Sequence, residues 1–314
     1  MMATTASRIW NYVNVMAPPA ALIPAGIIKF LALYLGFQAL TGKTELNISP
    51  GAWAGAVTMV LLILLTRVYD EFKDAEADIR LGKAGDPRYA DRPIVTGAVL
   101  IEDIAVLRNG IIITLLLLNV WMPPITLMGF ALVFGLLWLS SKWFFYPKIA
   151  DSLLLALLTH NPLGFLLQVY AYTLFLGEGA LAQIDLAWAA FMLGMYVPWA
   201  AWETSRKQRI PEDETDYETY TKIWGMKVAP LVPAVLIAIS AAGLLVAGAS
   251  MGLGTIWQCI IIAAALIPIG ACLRFWAKPT SENSKLQPFS EAYLMAVDLS
   301  VMVGLMMHHN VTLL

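Results

Sequence analysis

The sequence predicts an all-α membrane protein: about nine transmembrane helices, arranged as two four-helix pseudo-repeats plus a ninth helix around a central cavity. Three observations carry this expectation. Of 314 residues, 59% are hydrophobic and only 13% charged, and mean hydropathy is +0.71. A soluble domain of this length needs far more polar surface. Apolar windows of about 20 residues, the length that crosses a bilayer core, recur along the chain. Lysine and arginine gather in alternate loops, as expected of a multi-pass protein with one cytoplasmic face. Lipid offers no partner to an unpaired backbone group, so the windows are helices rather than open strands.

Taken in order, the first window, 19–41, follows MMATTASRIWNYVNVMAPPA, which lacks a signal-peptide cleavage pattern. Lys29 inside it must snorkel or find a partner. The second, 52–69, runs into a loop holding Arg67, Lys73, Arg80, Lys83, Arg88 and Arg92. The third, 103–120, contains Arg108, and the fourth, 123–141, leads to Lys142 and Lys148. The fifth, 150–177, is interrupted by Pro162 directly after His160 and Asn161, where the ring opens backbone carbonyls. The sixth, 184–202, ends in a loop with Arg206, Lys207, Arg209, Lys222 and Lys227. Windows 228–249 and 254–273 follow, the latter leading to Arg274, Lys278 and Lys285; the last, 289–308, contains Asp298. Loops after odd helices carry almost no cation, Lys43 being the exception. The N-terminus and the ends of the even helices are therefore expected in the cytoplasm, with MMHHNVTLL on the opposite side. Helices 2 and 6 both enter long charged loops, about 70–97 and 203–227, which is the basis of the pseudo-repeat; no linker divides residues 1–314, so one domain is expected.

Some classes are excluded early. A net charge of -2 gives no basic excess for nucleic acid. Cys259 and Cys272, 13 residues apart in apolar sequence, read as small buried hydrophobes rather than a disulfide or metal pair.

The chemistry concentrates in two acidic stretches. In RVYDEFKDAEADIRLGKAGDPRYADRPIVTG, Asp70, Asp74 and Asp78 are spaced i, i+4, i+8, one face of a helix, with Glu71 at its edge. Like charges at this spacing repel by about 0.2–0.5 kcal/mol per pair. A solvated helix end compensated by Lys73 and Arg80 would tolerate this; a hard divalent cation would make use of it, since Mg²⁺ takes carboxylate oxygens together with substrate phosphates. In WETSRKQRIPEDETDYETYTKIWG, Glu203 is the first acid after a long apolar run. Arg206, Lys207 and Arg209 follow, then Pro211, Glu212, Asp213, Glu214 and Asp216. Acids mixed with cations suit an interfacial ion-pair network or an anionic, metal-bound ligand, since Arg forks grip phosphate oxygens and Lys adds a point charge. Both clusters follow corresponding helices and face the same side.

These residues resemble the UbiA superfamily of intramembrane prenyltransferases, in topology over essentially the whole chain. Its first motif, NDxxDxxxD, is matched by Asp70-Glu71-Phe72-Lys73-Asp74-Ala75-Glu76-Ala77-Asp78 with Asp for Asn and Glu for the first Asp. Its RPLxxG element is matched by Arg92-Pro93-Ile94-Val95-Thr96-Gly97. The second motif, YDTxYAxxDxxxD, is matched only at Trp202-Glu203-Thr204 and Glu214: Ile210 stands at the middle Asp, and Arg206 and Lys207 replace neutral positions. The family's YxxxK pair is represented by Tyr146-Pro147-Lys148. The stretch Asn14-Val15-Met16-Ala17-Pro18 lacks the basic residue that aromatic-acceptor members carry before the proline.

The resemblance implies a Mg²⁺-dependent enzyme that ionises an allylic prenyl diphosphate and transfers the prenyl group to a lipophilic acceptor. It places a first Mg²⁺ on Asp70, Glu71, Asp74 and Asp78, and a second on Glu203 with Asp213 or Glu214. Arg92, Tyr146, Lys148, Arg206, Lys207 and Arg209 are then expected on the diphosphate, and Asn14, His160 and Asn161 near the acceptor. An alternative within the fold is a terpene cyclase, in which the substrate's own double bond captures the cation. A secondary transporter fits less well, since transporters place ionisable groups near the midplane and here they crowd one face. The DGxxAR signature of CDP-alcohol phosphotransferases is absent.

Overall fold

Helices fill every apolar window to within a few residues. The computed structural model describes residues 4–86, 89–181, 184–214 and 218–314; Arg88 and Asp216 lie outside them. The helices are α1 Thr5–Met16, α2 Pro19–Leu40, α3 Pro50–Lys83, α4 Pro93–Thr96, α5 Ile101–Asn119, α6 Pro124–Ser141, α7 Pro147–Ala150, α8 Leu153–His160, α9 Pro162–Gly177, α10 Leu186–Ser205, α11 Tyr220–Trp224, α12 Leu231–Ser250, α13 Thr255–Ala277 and α14 Gln287–His308.

Among the described residues, α2, α3, α6, the unit Leu153–Gly177, α12, α13 and α14 are long and apolar enough to cross a membrane. These seven, rather than nine, satisfy both length and hydropathy. α5 and α10 occupy the third and sixth windows with 19 and 20 residues. α5 is diluted by Glu102, Asp103 and Arg108, and α10 by Pro198 and Glu203. α10 also buries much of its surface against protein, including Phe191, Met192, Met195 and Ala201, so it needs less apolar surface towards lipid.

Successive long helices pack on one another, and α14 packs back on α2, closing the bundle. α2 is its centre, with buried residues on all sides from Lys29 to Ala39. Phe30, Tyr34 and Phe37 meet Tyr170, Tyr172, Phe175 and Phe191, which fills the middle with offset and edge-to-face rings. Small residues let backbones approach, as they do where van der Waals packing replaces the hydrophobic effect. At the α10–α12 crossing a Cβ on Gly243 would lie 2.7 Å from the Ala190 carbonyl oxygen. A backbone oxygen cannot swing aside, so Gly243→Ala is expected to cost about 1–3 kcal/mol. A thermal melt in detergent should record it as a lowered midpoint; an unchanged midpoint would mean that the two helices are free to separate.

Two features have no signature in the sequence. Strand β1, Glu45–Ile48, pairs in parallel with β2, Asn310–Leu313, Leu46 lying opposite Val311. This ties the loop after α2 to the C-terminal segment at one end of the bundle. At the other end, α1 is capped by Thr4, whose hydroxyl accepts from the Ser7 N–H at 3.3 Å. α1 is anchored by Arg8, which forks onto Asp103 at 2.6 and 2.8 Å.

Candidate active site

α3 has 34 residues, about 50 Å at 1.5 Å per residue. That exceeds a hydrocarbon core of about 30 Å, so its last turns carry the acidic stripe beyond it. Of Asp70, Glu71, Asp74 and Asp78, all but Asp74 have a cation partner among the described residues. Lys73 Nζ stands 2.7 Å from Asp70 Oδ1. Arg67 donates to Glu71 Oε2 at 2.7 Å, and the Tyr12 hydroxyl donates to the same oxygen at 3.3 Å. Arg92 donates to Asp78. The Arg92–Gly97 element explains this placement: Pro93 opens α4 at its first position, and Gly97 closes it in the left-handed conformation at φ 75°. That turn presents Arg92 to the stripe. Asp74, half-buried between Asp70 and Asp78, has no hydrogen bond or ion pair among the described residues. Glu71 Oε1 is buried and equally without a partner.

The ends of α6 and α8 meet this stripe. Trp143, Phe144 and Phe145 all take positive φ, 50°, 52° and 55°. That left-handed turn costs roughly 1–2 kcal/mol per residue. It sets Trp143 under Lys73 Nζ, 4.8 Å from the ring centroid. Trp143 and Phe144 also stand edge-on to His160, at 5.2 and 5.5 Å. The His160 Nδ1 lies 2.9 Å from the Thr159 hydroxyl and 3.1 Å from the Ala156 carbonyl, with Nε2 on the other side of the ring. That Nε2 is buried without a partner. Pro162 breaks the helix just beyond, and Asn161 turns the other way, its Oδ1 accepting from the Tyr196 hydroxyl of α10 at 2.7 Å. The elbow between α8 and α9 thus bridges the end of α3 and the wall of α10.

On α10, Glu203 is gripped by Arg206 at 2.6 Å and by Lys207 at 3.0 Å. Arg206 also lies over Trp202, 5.0 Å from its centroid. Beyond it, Arg209, Pro211, Glu214, Thr221, Lys222 and Met226 line a depression of ≈ 200 Å³. Glu214 accepts from Thr219 and Thr221. Asp213 is exposed in a short turn with Pro211 and Glu212, and Tyr146 and Lys148 are exposed as well. Asn14 is exposed on α1, whereas Tyr12, two residues earlier, points inward to Glu71.

The structure therefore brings together Asp70, Asp74, Asp78, Glu71, Arg92 and His160. Among the described residues it does not draw Asn14, Tyr146 or Lys148 into the same contacts; Glu203 and Glu214 have separate partners, and Asp213 stays exposed. Among the described residues, no three His, Cys, Asp or Glu side chains gather into a metal cage. Mg²⁺ does not require one, since it keeps waters and takes one or two carboxylates plus substrate phosphate. Asp74 is open for that role. Asp70, one helical turn away with its side chain 39% exposed, is paired among the described residues with Lys73. A four-carboxylate cage is not preformed, because a partly buried acid stripe without metal must be neutralised, and Arg67, Lys73 and Arg92 do so.

Sequence reasoning missed Tyr12, Trp143, Tyr196 and the polar interior residue Gln168. Only Gln168 had a usable signal: a carboxamide inside an apolar window is itself a functional hint.

The fold has counterparts among solved structures. A UbiA homolog from Aeropyrum pernix superposes with a TM-score of 0.64 at 19% identity, covering 91% of this chain and 98% of that one. The chain has the UbiA fold. A digeranylgeranylglyceryl phosphate synthase matches at a TM-score of 0.61 and 15% identity, over 96% of this chain and 98% of that one. No family model matches the sequence, and no curated protein matches it. At these identities the UbiA fold is conserved through packing geometry, and the acidic ends of α3 and α10 must be judged on their own chemistry.

Proposed function

We propose that the protein is a UbiA-type, Mg²⁺-dependent prenyltransferase acting inside the membrane, with its acidic ends on the cytoplasmic side. One observation carries this reading: on this fold, Asp74 is, among the described residues, an unpaired carboxylate in the middle of an otherwise neutralised acidic stripe. An open anion among like charges is unfavourable unless a cation completes it. Both solved neighbours have this fold, and one is a digeranylgeranylglyceryl phosphate synthase.

In this reading Asp74 and Asp70 hold one Mg²⁺ jointly with the substrate. When bound, the ion supplies charge stabilisation for the departing diphosphate. Arg206, Lys207 and Arg209 at the end of α10 bind diphosphate oxygens, Arg206 and Lys207 by exchanging Glu203 for the ligand. Arg92 fixes the loop that borders the stripe. The apolar bundle receives the prenyl chain and keeps water from the allylic cation. The acceptor approaches from the elbow, where His160 Nε2 and Asn161 Nδ2 are unpartnered.

The expected result with purified protein is Mg²⁺-dependent release of diphosphate from farnesyl or geranylgeranyl diphosphate, abolished by EDTA. Absence of release across prenyl lengths, with or without membrane lipid extract as acceptor, would overturn the assignment. The missing basic residue before Pro18 favours the cyclase alternative. A cyclic hydrocarbon or alcohol formed without acceptor would replace transfer by cyclisation.

A further inference from the structure

The side chain of Gln168 is fully buried, and among the described residues neither its Oε1 nor its Nε2 has a partner. It lies in the apolar span Leu153–Gly177. A buried carboxamide with nothing to bond loses the hydration of each unsatisfied group without return, and lipid offers no relief. Leucine would fill the volume without that loss.

Its helical face shows what surrounds it. Asn161, Gly164, Gln168 and Tyr172 follow at i, i+3, i+7 and i+11 on α9. Asn161 meets Tyr196 of α10, and a Cβ on Gly164 would lie 3.1 Å from Trp199 of α10. On the far side of Gln168, Tyr172 stands 5.2 Å from Trp188 of α10 and 4.9 Å from Phe37 of α2. Gln168 therefore sits partway along a wall of aromatic rings. That wall runs inward from the elbow, where Asn161 Nδ2 is also buried without a partner among the described residues. Seven residues separate the two, about 10 Å along the axis. On α10, Met192 and Met195 are buried in the same interval and can adapt to different shapes.

A hydrocarbon prenyl chain satisfies none of these atoms. A hydroxyl satisfies a carboxamide with one group, accepting from Nε2 and donating to Oε1. The ion pairs of the two acidic ends lie outside this face, so a charged head has no counter-ion here.

We propose that the α9 face from Asn161 to Gln168 binds a neutral, otherwise apolar molecule that carries a hydroxyl, a lipid alcohol or phenol, with the hydroxyl on Gln168. This rests on the prenyltransferase reading only in making that molecule the acceptor; the binding itself is independent of turnover. The prenyl chain of the diphosphate then occupies a different part of the bundle.

The test uses the full-length protein in nanodiscs, without magnesium or diphosphate, with thermal unfolding followed by tryptophan fluorescence. Farnesol is compared with farnesene, an isoprenoid hydrocarbon of the same carbon count, in wild type and in Gln168→Leu. Farnesol is expected to raise the wild-type midpoint by several degrees more than farnesene. In Gln168→Leu the two probes should become equivalent, while its ligand-free midpoint equals or exceeds that of wild type. If alcohol and hydrocarbon act alike on wild type, or if Gln168→Leu keeps the difference, the site is not a hydroxyl site. If Gln168→Leu lowers the ligand-free midpoint, the amide is satisfied by bound water and serves structure alone. Diphosphate release is assayed separately, so these failures leave the prenyltransferase reading standing, and its failure leaves them intact.

Discussion

Asp74→Ala is expected to lower diphosphate release by about 100- to 1,000-fold, the usual cost of losing one preorganised group that acts on transition-state charge. The same variant should unfold at or above the wild-type temperature. The asymmetry follows from what each carboxylate does in the ligand-free protein. Removing Asp78 would strand Arg92 and loosen the loop that opens α4, and removing Glu71 would free Arg67 and Tyr12. Either loss confounds catalysis with folding. Asp74 has no such partner, and deleting it relieves like-charge repulsion from Asp70 and Asp78 at one-turn spacing. A variant that folds and fails to turn over would thus isolate the metal-binding function. Two measurements decide it: a Mg²⁺ titration of activity and a thermal melt. Activity near the wild-type level would remove Asp74 from the reaction. Restoring part of the rate at elevated Mg²⁺ in Asp74→Asn would show that the residue acts through the ion.

Much of this architecture is legible in the sequence because lipid simplifies the problem. Each spanning helix must satisfy its own backbone, so a run of apolar residues fixes element type and length together. Hence the nine windows coincide with helices, including α5 and α10, which are not among the seven that satisfy both length and hydropathy. The stripe at Asp70, Asp74 and Asp78 was equally readable, since its spacing and its helix are both local. What was not readable depends on contacts distant in sequence. The partner of Arg8 lies 95 residues away in Asp103. The pairing of Leu46 with Val311 depends on two ends of the chain meeting. The left-handed turn at Trp143–Phe145 has no glycine or asparagine to announce it. At Glu203 the sequence allows a metal or an ion-pair network, and in the ligand-free protein cations three and four residues on pair with it.

Lys29 and Asp298 combine these two lessons, each visible as an intramembrane charge but with its partner hidden. Lys29 Nζ stands 3.1 and 3.4 Å from the two oxygens of Asp298, with side-chain exposures of only 5% and 10%. The pair joins α2 to α14, the contact that closes the bundle. Lys29→Ala leaves a carboxylate buried among apolar helices and is expected to cost about 3–5 kcal/mol, enough to approach the total stability of an ordinary domain. Asp298→Ala should cost a similar amount by stranding the ammonium. The double variant Lys29→Met/Asp298→Leu removes both charges and keeps the volume. Replacements of that kind are commonly neutral or stabilising, so its melting point is expected at or above wild type. Thermal melts of wild type, Lys29→Met, Asp298→Leu and the double variant form a double-mutant cycle. A large coupling energy would assign the pair to closing α2 against α14, at the cost of desolvating two charges. If Lys29→Ala melts with wild type, the seam is held by packing alone. If the double variant is as unstable as the singles, Met and Leu do not refill the space, and the loss belongs to packing rather than charge.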